Sequence, residues 1–197
     1  MEILSAFIFA SALLTIAPGP DLLMVINLSL EKGFFSAFHF ILGLATGLLG
    51  HTLLLVFGWA QFIGERPTLV EYIKMIACFY FLLLGFRSIH FFFSDSSPKT
   101  NIQWVNQPYL QGVMMNILNP KVSLFFWMFF PGFLFHPSLS TAAQYAILGI
   151  VFLAQALIVF SLVAQLASRI TFYAKNSYAP LFTGIVWIIL GIYMALT

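Results

Sequence analysis

The sequence predicts an all-α integral membrane protein with six hydrophobic helical segments, arranged as two inverted three-helix repeats. Charged residues make up 7% of the 197 residues, whereas a soluble domain carries about 25%. So few charges cannot cover a surface that faces water. The apolar segments are long enough, at about 20 residues or more, to cross a bilayer as helices. In each half, the first segment is broken part-way by proline.

Turn-forming and charged residues divide the chain into these six segments. They run over about residues 3–30, 34–63, 69–93, 108–135, 142–168 and 178–196. Residues 94–107 form a long polar stretch between the third and fourth segments. We therefore predict a first repeat over 1–93, a cytoplasmic linker loop over 94–107 and a second repeat over 108–197, within one membrane domain. An odd number of spans in each half would insert the second half upside down, as in many secondary transporters.

Lysine and arginine predict the orientation in an inner or plasma membrane. The basic residues at the ends of segments one, three and five are Lys32, Arg87, Lys99, Arg169 and Lys175. Arg66 lies on the opposite side, with Lys74 just beyond it. The loops after segments one, three and five are therefore expected in the cytoplasm. Segment one either spans or is re-entrant, and it is expected to be retained because Met1-Glu2 lacks the basic start of a signal peptide.

The two breaks have the sequences Pro18-Gly19-Pro20-Asp21 and Asn119-Pro120-Lys121. Proline removes a backbone donor and clashes with the preceding turn, and lipid offers no partner for the groups that are freed. Each break is therefore expected to face a polar cavity or the protein interior. Pro20 suits the first position of a new helix, so the amides of residues 21–23 are expected to point at an anionic group.

A charged residue, Asp21 or Lys121, follows each break. Ionisable groups at membrane depth are costly and usually mark a pathway or a relay. If the halves pack about a pseudo-two-fold axis, the breaks meet near the midplane. Asp21 and Lys121 would then pair, or would hold opposite ends of a zwitterion. The simpler alternatives are packed proline kinks, a helix cap for Asp21 and snorkelling to a head group for Lys121.

Three further polar residues lie near these elements. Asn116 and Asn119 flank the second break and are expected to serve its orphan backbone groups. His51 follows Gly43 and Gly47, whose spacing favours close packing of helices. His51 therefore either lines the pathway at this interface or is a satisfied core histidine, and the sequence leaves both open.

Other functional classes have little support in the sequence. There is no HExxH, P-loop or GxSxG motif, and four dispersed histidines do not predict a metal cluster. The net charge of +2 is too small and too scattered to predict nucleic-acid binding. We predict no catalytic residue, metal or cofactor. A transporter of another small solute or metal ion, a membrane-embedded enzyme and a subunit of a larger complex remain alternatives, and a homo-oligomer is left open.

The two proline motifs resemble those of a known family. Residues 18–21 resemble the proline-glycine-proline motif of the LysE/RhtB family of amino-acid exporters. Residues 112–133 (GVMMNILNPKVSLFFWMFFPGF) are similar to its second signature, an asparagine-proline-lysine run before a phenylalanine-rich helix. Segment two, with Gly43, Gly47 and His51, also resembles the family pattern. The resemblance covers nearly the whole chain.

This resemblance implies export of amino acids or close derivatives from the cytoplasm, driven by the proton gradient. The cargo carboxylate would meet a half-helix N-terminus or Lys121, and its ammonium would meet Asp21, which would also carry the coupling proton. A single acid at this depth favours a neutral cargo. The expected partners are an amino acid, a proton and the lipid bilayer. The predicted substrate and ion pathway comprises Pro18, Gly19, Pro20, Asp21, His51, Asn116, Asn119, Pro120 and Lys121.

Overall fold

A computed structural model describes residues 2–17, 19–58, 65–93 and 107–169, with single positions at 62, 181, 185, 188, 189 and 192. The continuous stretches form seven α-helices: α1 Glu2–Ile16, α2 Pro20–Lys32, α3 Phe34–Val56, α4 Pro67–Phe93, α5 Pro108–Leu118, α6 Pro120–Leu124 and α7 Thr141–Arg169. A π-helical turn, Phe125–Phe129, and a 3-10 turn, Phe130–Phe133, follow α6 directly. The all-helical class predicted from the sequence is confirmed for these residues.

Among the described residues, three helices are long and apolar enough to cross a membrane, and there are five such stretches if each of two bent helix pairs counts as one span. Three are single helices, namely α3, the Glu71–His90 part of α4 and the Thr141–Ala167 part of α7. The other two are bent pairs, α1 with α2 at 56° and α5 with Pro120–Phe133 at 50°. These five correspond to the first five predicted segments. The sixth, residues 178–196, lies largely outside the described residues, and the inverted repeat stays a prediction.

A glycine with positive φ stands at each end of α3. Gly33 has φ 80° in the turn from α2, and Gly58 has φ 98° two residues after Val56. A side chain at either φ would be strained, which is why glycine suits both positions. The second span therefore ends near Val56, seven residues earlier than the predicted end at Ile63.

The chain folds as two compact units. Unit one contains residues 1–60 and 100–171, and unit two contains residues 61–99 and 172–197. Unit one holds both proline breaks and, of the seven α-helices named above, all except α4. In unit two, α4 exposes Met75, Phe79 and Phe86 and buries Phe81. Each unit draws on both predicted halves of the chain, and the division into halves stays a prediction.

Glycines allow α3 and α5 to pack closely within unit one. A methyl group on Gly43 would collide with the carbonyl oxygen of Tyr109, and one on Gly112 would collide with the carbonyl oxygen of Phe40. The two backbones therefore touch, as is typical of small residues at helix crossings in membranes. This crossing holds the second break at a fixed position beside α3.

The core next to the second break is aromatic. Phe126 stacks on Phe130 with ring centroids 4.2 Å apart, and Phe7 of α1 meets Phe130 edge-on at 5.1 Å. Phe125 contacts Phe152 of α7 at 5.3 Å. The rings of the π-helical and 3-10 turns thus pack the segment after the second break against α1 and α7.

Candidate functional site

The two proline breaks lie against each other inside unit one. Asn119 Nδ2 donates a hydrogen bond of 3.0 Å to Asp21 Oδ2. Lys121 Nζ donates one of 3.0 Å to the backbone carbonyl of Ala17. Both hydrogen bonds are buried, so each break provides partners for polar groups of the other. Pro18, which the sequence placed in the first break, lies outside the described residues.

The first break leaves a helix end that Lys121 completes. The last carbonyls of a helix have no partner within the helix. The Lys121 ammonium donates a hydrogen bond to one such carbonyl, that of Ala17. Gly19 makes room, because a methyl group there would lie 3.2 Å from Lys121 Nζ. α2 begins at Pro20, as predicted. The amides of residues 21–23 are expected from the sequence to point at an anionic group. This expectation is wrong for Leu23, because its N–H donates a hydrogen bond of 3.0 Å to the Gly19 carbonyl within the helix.

Asn119 joins the second break to the first. Its Oδ1 accepts a hydrogen bond of 3.1 Å from the backbone N–H of Lys121, which caps α6 ahead of Pro120. The prediction that Asn119 serves the orphan backbone groups of the break is confirmed. Asn116 Oδ1 has no hydrogen-bond partner among the described residues, and the same role for Asn116 stays a prediction. The Asn116 side chain lies against Gly47, which leaves space for it.

Asp21 and Lys121 are buried, at 7% and 6% exposure. Lys121 acts electrostatically on Asp21, although its ammonium is bonded to the Ala17 carbonyl. Snorkelling of Lys121 to a head group is therefore not observed. Asp21 Oδ1 is buried and makes no hydrogen bond with any residue that the structure describes. A buried charge is costly unless it is paired and hydrogen-bonded, so this oxygen is a position where a donor would be stabilised.

A cavity of about 20 Å³ adjoins these charges. Its polar lining consists of Thr15, Asp21, Asn116 and Lys121, and its apolar lining includes Phe152 of α7. This volume holds about one water molecule. The cavity is therefore too small for an amino acid, which enters only if the surrounding helices move apart.

His51 lies close to the second break but does not line this cavity. Its ring stacks on Phe126 with centroids 5.3 Å apart, and the backbone of Asn116 is a neighbouring polar group. Neither ring nitrogen makes a hydrogen bond of acceptable geometry with the described part of the chain, and both interpretations of His51, as a pathway residue or a core histidine, stay predictions. Within the same residues, no three His, Cys, Asp or Glu side chains are placed to hold a metal ion.

Three polar residues near the cavity were missed by sequence reasoning. Ser11 Oγ donates to Gln155 Oε1 at 2.9 Å, and Thr15 Oγ1 donates to the Ser11 carbonyl at 2.8 Å. The available signal was that Ser11 and Thr15 lie four positions apart, on one face of an otherwise apolar helix. Gln155 offered a similar signal as a lone amide within an apolar stretch of α7.

The sequence matches the family model described as LysE type translocator over residues 12–197. The homoserine/homoserine lactone efflux protein of Salmonella typhi is 28% identical over 172 residues, which cover 87% of this chain and 83% of that protein. The uncharacterized membrane protein YrhP of Bacillus subtilis is 32% identical over 147 residues, or 68% and 69% of the two chains. An uncharacterized membrane protein of Vibrio cholerae is 27% identical over 150 residues, or 74% and 71%. No solved structure matches the chain.

These matches agree with the five potential spans and with the resemblance of the two proline motifs. The family model covers nearly the whole chain, including both breaks and the aromatic segment after the second one. The relatives of this chain are named as membrane or efflux proteins. The protein is therefore a multi-pass membrane protein, and the chain belongs to the LysE type translocator family.

Proposed function

We propose that this protein exports a small neutral amino acid or a close derivative, such as homoserine or its lactone, from the cytoplasm in exchange for protons. The observation that carries the proposal is the buried Asp21 carboxylate. One of its oxygens is bonded to Asn119 and the other has no hydrogen-bond partner in the described residues, while the Lys121 ammonium is buried nearby. The translocator family and the efflux proteins among the relatives support an amino-acid type of cargo.

The two charges would bind the two ends of the cargo. The cargo ammonium would donate to Asp21 Oδ1, and hydrogen bonds between ionised groups are the stronger kind. The cargo carboxylate would accept from Lys121, which would then leave the neutral carbonyl of Ala17. Since a net charge in such an interior is costly, a zwitterion such as homoserine fits better than a cationic or anionic amino acid. The lactone has no carboxylate, so it would be bound through its amino group alone, at Asp21.

Binding of this kind would also loosen the contact between the breaks. In the closed site, Lys121 bridges α6 to the end of α1 through the Ala17 carbonyl. If the cargo carboxylate accepts the hydrogen bond of the Lys121 ammonium in place of the Ala17 carbonyl, this bridge is lost. The bent pairs would then move apart at Gly19-Pro20 and Asn119-Pro120, where helical hydrogen bonding is already interrupted, as alternating access requires.

Asp21 would couple export to the proton gradient. A proton bound to Oδ1 removes the charge that attracts the ammonium, while Oδ2 still accepts from Asn119. Proton and cargo would therefore compete for one oxygen. Protonation on the more acidic outer side would release the cargo, and loss of the proton to the cytoplasm would restore the binding site. We include Pro18, His51 and Asn116 in the proposed pathway as neighbours of this exchange.

The proposal is tested with the purified full-length chain in liposomes. Vesicles are loaded at neutral pH with labelled homoserine, homoserine lactone, lysine or glutamate and diluted into acidic buffer. We expect faster efflux of homoserine and its lactone than from protein-free vesicles, little effect on lysine and glutamate, and loss of the acceleration when a protonophore removes the pH gradient. Efflux at the protein-free rate for all four compounds would contradict the proposal and favour another solute or a subunit role.

A further inference from the structure

A second polar pair lies one helical turn from the proposed cargo site. Ser11 Oγ of α1 donates to Gln155 Oε1 of α7 at 2.9 Å, and Ser11 is fully buried. Thr15 follows Ser11 by four residues, about 6 Å along the helix, and Thr15 lines the cavity. Ala156, the neighbour of Gln155, lines the cavity too. Neither Ser11 nor Gln155 lines the cavity itself, so the pair lies behind residues that form its wall.

One end of the Gln155 amide has no hydrogen-bond partner in the part of the chain that the structure describes. Its Nε2 is buried and bonds to none of the described residues. Rotating the amide by half a turn would let Ser11 accept from Nε2 while it donates to the Ile8 carbonyl at 3.1 Å, and would place Oε1 at this position instead. Since buried polar groups nearly always have partners, either orientation leaves a position for a polar atom.

We infer that the Ser11–Gln155 pair is an uncharged recognition point for an oxygen on the side chain of the cargo. A hydroxyl both donates and accepts, so it satisfies the free amide end in either orientation, and a lactone oxygen satisfies the donor end. This inference rests on the proposed function and deepens it. Asp21 and Lys121 select an amino acid. The Gln155 amide favours short amino acids that have an oxygen in the side chain and disfavours apolar ones of equal size.

The competing explanation is that the pair merely holds α1 and α7 together, as polar side chains do between membrane helices. A structural contact of that kind does not distinguish one cargo from another. The inference therefore concerns a ratio of two transport activities in the same protein, which a general loss of stability leaves unchanged.

The test compares homoserine with 2-aminopentanoate, in which a methyl group replaces the hydroxyl, in liposomes that contain the full chain. We expect the unmodified protein to prefer homoserine. Gln155→Leu lowers this preference by about tenfold, the effect of one hydrogen bond, through a higher KM for homoserine alone. Gln165→Leu, the same change at an exposed position of α7, leaves the preference unchanged.

Ser11→Ala is the second variant, because a smaller change keeps the test valid if Gln155→Leu does not fold. It releases the amide from α1 and is expected to lower the same preference severalfold. An unchanged preference in a folded variant of either residue, or an equal loss for both compounds, overturns the inference and leaves the proposed function intact. Transport of neither compound by the unmodified protein overturns the inference, and it overturns the proposed function as well if homoserine lactone is not transported either.

Discussion

Asn119 donates a hydrogen bond of 3.0 Å to Asp21, and the same side chain accepts one of 3.1 Å from the backbone N–H of Lys121. One amide therefore caps α6 and holds the buried acid of the other break. Both tasks are possible because an asparagine amide carries a donor and an acceptor. Asn119 thus fixes the relative position of the two breaks at the charged site.

Asn119→Asp should separate these two tasks. The new carboxylate still caps α6, but it offers no donor to Asp21 and places a second negative charge beside it. We expect a loss of about 1–3 kcal/mol in the free energy of unfolding, since a buried group loses its partner. Denaturant unfolding in detergent micelles measures this. Gln107→Glu, the same change at an exposed position, is the control, and equal unfolding midpoints for the two variants would contradict the assigned role.

Lys121→Met should distinguish two related cargoes. Homoserine has a carboxylate for Lys121 to bind, whereas its lactone has none. We expect the KM for homoserine to rise at least about tenfold, because a hydrogen bond to a charged group is lost, and the KM for the lactone to change much less. Lys32→Met, at the exposed end of α2, should alter neither value. Equal effects of Lys121→Met on both compounds would place the carboxylate elsewhere.

Gly43→Ala should force α3 and α5 apart. The added methyl group would meet the Tyr109 carbonyl, which is backbone and cannot swing aside. Overpacking of this kind costs about 1–3 kcal/mol, measurable as a lower unfolding midpoint. Gly50→Ala lies on the same helix, where no described atom is within 4 Å of an added methyl group. We expect it to be neutral or stabilising by up to about 1 kcal/mol, and matching losses for both variants would contradict the packing argument.

Local chemistry made much of the fold predictable. Proline is disfavoured inside helices, because it lacks an N–H and clashes with the preceding turn, and it is favoured at helix starts. α2 and α6 accordingly begin at Pro20 and Pro120, as expected. The apolar lengths likewise predicted the spans. The end of α3 was less predictable, because residues after Val56 are as hydrophobic as those before it and the signal was a single glycine, Gly58.

Contacts between distant residues were predictable only in part. Symmetry of the two breaks predicted that they would meet, but not that Asn119 rather than Lys121 would bond to the acid. That choice depends on how the two breaks pack against each other, which the sequence alone does not specify. Ser11 and Gln155 were missed for a similar reason, since a lone polar residue in an apolar helix does not indicate which helix it faces.

The most direct test of the central claim is efflux of homoserine and its lactone by Asp21→Asn in liposomes with an inward proton gradient. Asparagine keeps the size of the side chain but removes the charge for the ammonium and the oxygen that takes the proton. Glu31→Gln, an exposed acid-to-amide change in the same helix, is the matched control. We predict that Asp21→Asn abolishes gradient-driven efflux of both compounds while Glu31→Gln retains it. Full efflux by Asp21→Asn, with the same response to the gradient, would contradict the account.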